Sequence, residues 1–186
     1  MLQYLIKHST WRLTLVLLAL NFALQALILL GSYPACCGTQ IPLDISFLLS
    51  PSAVYAFLNA IGEEGRQLYL INELSLDIAF PIFYAAAYSC LLAQLLKHNQ
   101  LQHSRCLVGL YLPLAIACAD VFENLHISAL LITYPQPSAF LLQGLSVSNF
   151  LKHALSLLTF SFLVILLLRP FILRIKPAAL SAKPDA

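Results

Sequence analysis

Four stretches of this chain are too long and too apolar to end inside a water-soluble core. They run from Trp11 to Leu30, from about Leu68 to Leu96, from Cys106 to Thr133 and from Phe140 to Leu168. Each reaches the roughly 20 residues that a helix needs to cross a ~30 Å hydrocarbon layer. In lipid, only helices or closed barrels satisfy every backbone N–H and C=O, and these runs are too continuous for barrel strands. The expected fold is therefore all-α: an integral membrane four-helix bundle forming a single domain over residues 1–186. Composition agrees, since 60% of the residues are hydrophobic, only 10% are charged and the mean hydropathy is +0.84. A soluble domain carries about 25% charged residues, so too few remain here to coat a wet surface.

Lys and Arg placement sets the expected orientation. Lys7 and Arg12 precede the first run, Lys97 and Arg105 flank the second connection, and Arg169, Arg174, Lys176 and Lys183 follow the fourth. These are eight of the ten basic residues. The opposite side has only Arg66 in its loops, beside Asp44, Glu63 and Glu64. Both termini are expected on the cytoplasmic side of a plasma (inner) membrane. The first run exceeds the 7–15 apolar residues of a signal peptide, so it reads as a retained span.

The first outer segment, Gly31 to Gln67, is the only substantial connection. Ser50-Pro51 is an N-cap followed by proline at the first helical position, and Gly62 can end the helix. Val54, Phe57, Leu58 and Ile61 share one face, which predicts a short interfacial helix over about 51–61, resting on the lipid surface rather than acting as a lid. Cys36 and Cys37 are adjacent and lack the spacing of a zinc site or redox pair. Cys90, Cys106 and Cys118 read as small apolar packers. Pro81 and Pro113 are expected to kink their helices.

The polar residues inside the spans carry the functional signal. The second span holds Glu73 and Asp77, with Tyr84 and Tyr88 continuing the stripe. The third holds Asp120, Glu123, Asn124 and His126, and the fourth holds Asn149, Lys152 and His153. Spacings of three and four residues place each set on one helical face. At ~1.5 Å per residue, Asp120 lies about 22 Å from Arg105, and Lys152 about 25 Å from Arg169. Asp77 lies about 30 Å from Lys97 on the same count. Three stripes thus converge in the outer third of the membrane, with Gln25 of the first span at the layer's lower edge.

Ionisable groups at such depth are costly and usually face a bundle interior or a wet cavity. Four carboxylates share one lysine, and like charges in low dielectric cannot all stay ionised unless water reaches them. A carboxylic acid poised near neutrality is what proton transfer requires. Asp77, Asp120 and Glu123 are accordingly the candidate catalytic groups. Arg66, Glu73, Tyr84, Asn124, His126, Asn149, Lys152 and His153 are the candidate polar pocket. The bland alternative is that Lys152 pairs with Asp120 or Glu123 only to lock helices together.

Glu123-Asn-Leu-His126 matches one half of a di-iron carboxylate site, but the fourth span supplies Lys152 and His153 where the second half belongs. No metal and no other cofactor is expected. The expected partners are membrane lipids and a lipophilic small molecule, with no nucleic acid. An assembly subunit or membrane chaperone is the alternative. Proton or ion translocation fits less well, because few ionisable groups lie between Asp120 and the basic end.

Four motifs stand out together: Gly62-x-x-Gly65-Arg66-x-x-Tyr69, Leu76-Asp77-x-x-Phe80-Pro81-x-x-Tyr84, Asp120-x-x-Glu123-Asn124 and Leu151-Lys152. This pattern, over roughly residues 45–168, resembles a family of small four-span integral membrane proteins without an established activity. The resemblance implies the architecture and the importance of Arg66, Asp77, Asp120, Glu123, Asn124 and Lys152, but no reaction. A looser, fold-level likeness is to the sterol isomerase and sigma-2 receptor group, whose bundles also enclose acidic and amide residues.

Overall fold

The computed structural model describes residues 2–47 and 49–175, and the side chains of these as far as residue 172. Lys176 and Lys183 of the basic tail lie outside the described residues. Among the described residues the fold is all-α, with no strand and four helices long and apolar enough to cross a membrane.

The first span is α2 (Trp11–Leu27), started by Thr10, whose side chain accepts from the Leu13 N–H. It continues through a π turn, Ile28–Ser32, into the short α3 (Tyr33–Cys37). Pro34 supplies no N–H to the turn before it, and widening to π geometry is one way a helix absorbs that defect. The apolar segment thus ends at Gly38, whose positive φ of 58° turns the chain. A short amphipathic α1 (Leu2–His8) precedes it.

The outer connection is more structured than its sequence suggests. After Gly38 the chain makes a 3-10 turn at Leu43–Ile45 and enters α4 (Pro51–Ala60), capped by Ser50 as expected. Gly62, at φ +70°, separates α4 from α5 (Gly62–Leu74). The apolar face of α4 does not lie on lipid. Val54 and Leu58 are fully buried against Ile127, Leu130 and Leu145 of the bundle. The Tyr55 hydroxyl fixes the same helix to the turn between the last two spans, donating to the Gln136 carbonyl at 3.1 Å and accepting from the Ser138 N–H at 3.2 Å.

The second span is broken where the sequence pattern reads through. α5 stops at Ser75, which has φ −121° and ψ −83°, and α6 (Leu76–His98) begins at once. Pro81 explains a second local feature. Its missing N–H leaves the Asp77 carbonyl without its helical donor, and the Asn124 amide of the neighbouring span donates to that carbonyl at 2.5 Å. Pro113 stands in the first turn of α7 (Leu112–Thr133), where α7 needs no N–H from it, and the change from the 3-10 segment at Arg105–Tyr111 to α-helix falls beside it. The last span belongs to α8 (Ala139–Ile175).

The spans pack as an open series: α2 against α6, α6 against α7, α7 against α8. α2 and α8 barely meet, and that gap positions the site. Basic residues gather at one end of the bundle, where Lys97 donates to the Ser9 carbonyl at 2.7 Å and Arg169 to the Asn99 carbonyl at 2.7 Å.

Candidate functional site

Lys152 organises the opposite half of the bundle. Its ammonium lies 3.2 Å from Asp120 Oδ1, pairs with Glu123 Oε2 and donates to the Asp44 carbonyl at 2.7 Å. These three partners fill the donor capacity of an ammonium. Glu123 is fully buried, and its other oxygen accepts from Asn149 Nδ2 at 2.6 Å. Asp120 Oδ2 accepts from the Tyr84 hydroxyl at 3.0 Å. The short turn between α7 and α8 makes these helices antiparallel neighbours, which is why the sequence spacing brings the groups together.

Beyond Lys152 lies a second acidic group with a member from the outer connection. Asp44 is buried, because the 3-10 turn at Leu43–Ile45 carries it into the bundle. The Tyr33 hydroxyl donates to Asp44 Oδ2 and the Tyr69 hydroxyl to Oδ1, the latter at 2.9 Å. The Leu43 N–H closes the arrangement by donating to Tyr69 at 3.1 Å. Glu73 and Asp77 complete the group across the break at Ser75, and Asn72 donates to Asp77 Oδ2. Gly65 permits the close approach of α3 and α5: a Cβ there would sit 2.6 Å from the Cys36 carbonyl oxygen.

Of the other residues anticipated for the polar pocket, Arg66 and His126 lie elsewhere, while His153 lines the larger cavity beside Lys152. Arg66 donates to the Leu58 carbonyl at 2.9 Å and stacks on Tyr134 at 4.2 Å, so it staples the end of α4 to the outer turn. His126 donates through Nδ1 to the Phe122 carbonyl at 2.6 Å and packs on Gly144, where a Cβ would fall 2.0 Å from its Nε2. His153 donates to the Asn149 carbonyl at 2.8 Å and stacks on Phe47 at 4.2 Å.

A cavity of about 300 Å³ opens in the gap between α2 and α8. Asn21 and Gln25 line one wall; Lys152, Ser156 and Phe160 line the other. Tyr84, Tyr88 and Asp120 form its floor. Asn21 is almost fully buried there, and its Oδ1 has no partner among the described residues. A smaller cavity of about 100 Å³ continues past Lys152 to Asp44 and Asp77. Among the candidate catalytic groups, Asp120 lines both cavities, Asp77 only the smaller, and Glu123 neither.

Sequence reasoning missed Asp44, Tyr33, Tyr69 and Asn21. The first is a loop acid that folds inward, and tyrosines near a span end are ordinarily interfacial anchors. Asn21 was within reach, since an amide amid the otherwise apolar run from Leu15 to Leu24 is a signal of its own. No family model, no curated protein and no solved structure matches this chain. What stands is an all-α architecture with four candidate membrane spans and a buried acidic cluster.

Proposed function

We propose that this protein binds a lipophilic molecule with a small polar head, taken laterally from the bilayer into the crevice between α2 and α8. The observation that carries the reading is the crevice itself: apolar walls, with Asn21, Tyr84, Asp120 and Lys152 converging on one region of it. An apolar pocket with a few convergent polar groups is the usual form of a small-molecule site. The gap between the first and last spans gives such a ligand a path that never leaves lipid. Asp120 and Tyr84 would meet the head group, with Lys152 as counter-ion and Asn21 as donor or acceptor. Asp120 is the proton-transfer group within reach of a head group bound there.

The test is native mass spectrometry of the detergent-purified chain, with lipid extraction, for the wild type and Ser156→Phe. The added ring fills the crevice wall one helical turn from Lys152 and removes no member of the ion pairs. A discrete co-purifying species in the wild type, absent in the variant, is the expected result. Identical bulk-lipid content in both would refute the reading. The second reading, an assembly subunit whose charges only pack helices, draws on Glu123, which pairs with Lys152 and Asn149 away from either cavity. It requires Ser156→Phe to change nothing that is bound.

The same proposal sets both termini on the cytoplasmic side, supported by Lys7, Arg12, Lys97, Arg105 and Arg169 at one end. Membrane-impermeant thiol labelling of single cysteines near Lys7 and Gln136 checks it, with reaction from outside expected only at the second.

A further inference from the structure

Asp44, Glu73 and Asp77 form a set of three buried carboxylates, each offering an oxygen within 4.8 Å of the others. Lys152 does not neutralise them, because its ammonium is held by Asp120 and Glu123 and touches this group only through a backbone carbonyl. Asp44 has two tyrosine donors and Asp77 has one amide donor. Glu73 has nothing. It is 0% exposed, and neither carboxylate oxygen has a partner among the described residues. Asn72 adds an independent sign. Its Nδ2 rests on Asp77, it is 5% exposed, and its Oδ1 is likewise unpartnered.

Buried carboxylates without donors are among the costliest arrangements a fold can keep. One proton on Glu73 would remove one charge and leave two carboxylates together in low dielectric. A divalent cation neutralises two charges and supplies the missing partner for several oxygens at once. The spacing suits this. Oxygens on opposite sides of a calcium ion at ~2.4 Å are about 4.8 Å apart, and those around magnesium or manganese are closer still. The donor set is oxygen only, which selects hard cations over zinc or copper.

We propose that Asp44, Glu73 and Asp77 bind a hard divalent cation of the calcium, manganese or magnesium class, with Asn72 Oδ1 as a neutral fourth donor. The smaller cavity, which reaches Asp44 and Asp77, is the entry path. The cation ties three separate pieces of chain: the outer connection through Asp44, the last turn of α5 through Glu73 and the first turn of α6 through Asp77. It thereby holds the break at Ser75 and the wall against which Lys152 sits.

The experiment uses the full chain in detergent, stripped with EDTA and titrated with Mn²⁺, Ca²⁺ or Mg²⁺ alone. Bound metal is read by elemental analysis and, for Mn²⁺, by electron paramagnetic resonance. The wild type should take up about one ion per chain and melt higher with it. Glu73→Gln should weaken that binding by at least ~10-fold and, in EDTA, melt above the wild type because it removes an uncompensated charge. Ser156→Phe should bind the ion normally, which separates this proposal from the crevice ligand. Wild-type protein that binds none of the three ions at millimolar concentration overturns the proposal, whether or not the variants fold. Binding unchanged by Glu73→Gln overturns it equally.

Discussion

Replacing Lys152 by Met tests the centre of the structure most directly. The substitution keeps the length of the stem and removes the ammonium. At 3.2 Å and an effective dielectric of 20, the attraction to Asp120 alone is worth about 5 kcal/mol before desolvation is counted. Burying the ammonium offsets much of that in the intact protein. In the variant the offset vanishes, yet Asp120 and Glu123 stay buried as neighbouring charges. Removing one partner of a buried pair typically costs about 3–5 kcal/mol, and that is the loss expected here. Two compensating changes then differ in effect. Glu123→Gln in the Lys152→Met background should recover more than Asp120→Asn. Glu123 is fully buried, whereas the Asp120 side chain keeps 10% of its surface exposed along the larger cavity. A glutamine also retains an oxygen for the bond from Asn149. Thermal and denaturant unfolding of the two single variants at 123 and 120, the Lys152 variant and both doubles complete the cycles. A Lys152→Met variant within about 0.5 kcal/mol of wild type, as for an exposed side chain, would refute the buried-pair reasoning. Equal recovery by the two doubles would refute the ranking.

Asn124→Leu should destabilise by about 1–3 kcal/mol, because the Asp77 carbonyl loses the donor that stands in for the missing N–H of Pro81. Adding Pro81→Ala returns a helical donor, so the double variant should melt above Asn124→Leu alone. Gly65→Val should cost at least ~1–3 kcal/mol, since a Cβ would fall 2.6 Å from the Cys36 backbone carbonyl, which cannot move aside as a side chain can. The measurement is the melting temperature in detergent. In a chain whose Cys90, Cys106 and Cys118 are replaced by Ala, maleimide should leave Cys36 and Cys37 unmodified until the protein unfolds, because both are 4% exposed. Rapid labelling in the folded protein would mean that α3 does not pack on α5.

The spans were legible because a bilayer reduces the folding problem to one dimension. Lipid forces each long apolar run into a helix, and a fixed rise per residue then converts sequence position into depth. Asp120 and Lys152 therefore fall at matching heights on paper, and a five-residue turn guarantees that their helices are neighbours. Local chemistry also gave Ser50 as a cap and Gly62 as a break, since both depend on adjacent residues alone. Other features had no such shortcut. Asp44 reads as a loop acid until a 3-10 turn, two tyrosines from separate helices and the Lys152 ammonium draw it inward. Arg66 carries a charge near the outer end, but only the position of Tyr134 decides that it stacks there instead of reaching the carboxylates. His126 lies three residues from Glu123 and still faces Gly144, because the contact that holds it belongs to another helix. Periodicity assigns a face to each helix and says nothing about which neighbour that face meets. The gap between α2 and α8 is the clearest case: no residue encodes it, and it exists only because α6 and α7 take the central positions of the bundle.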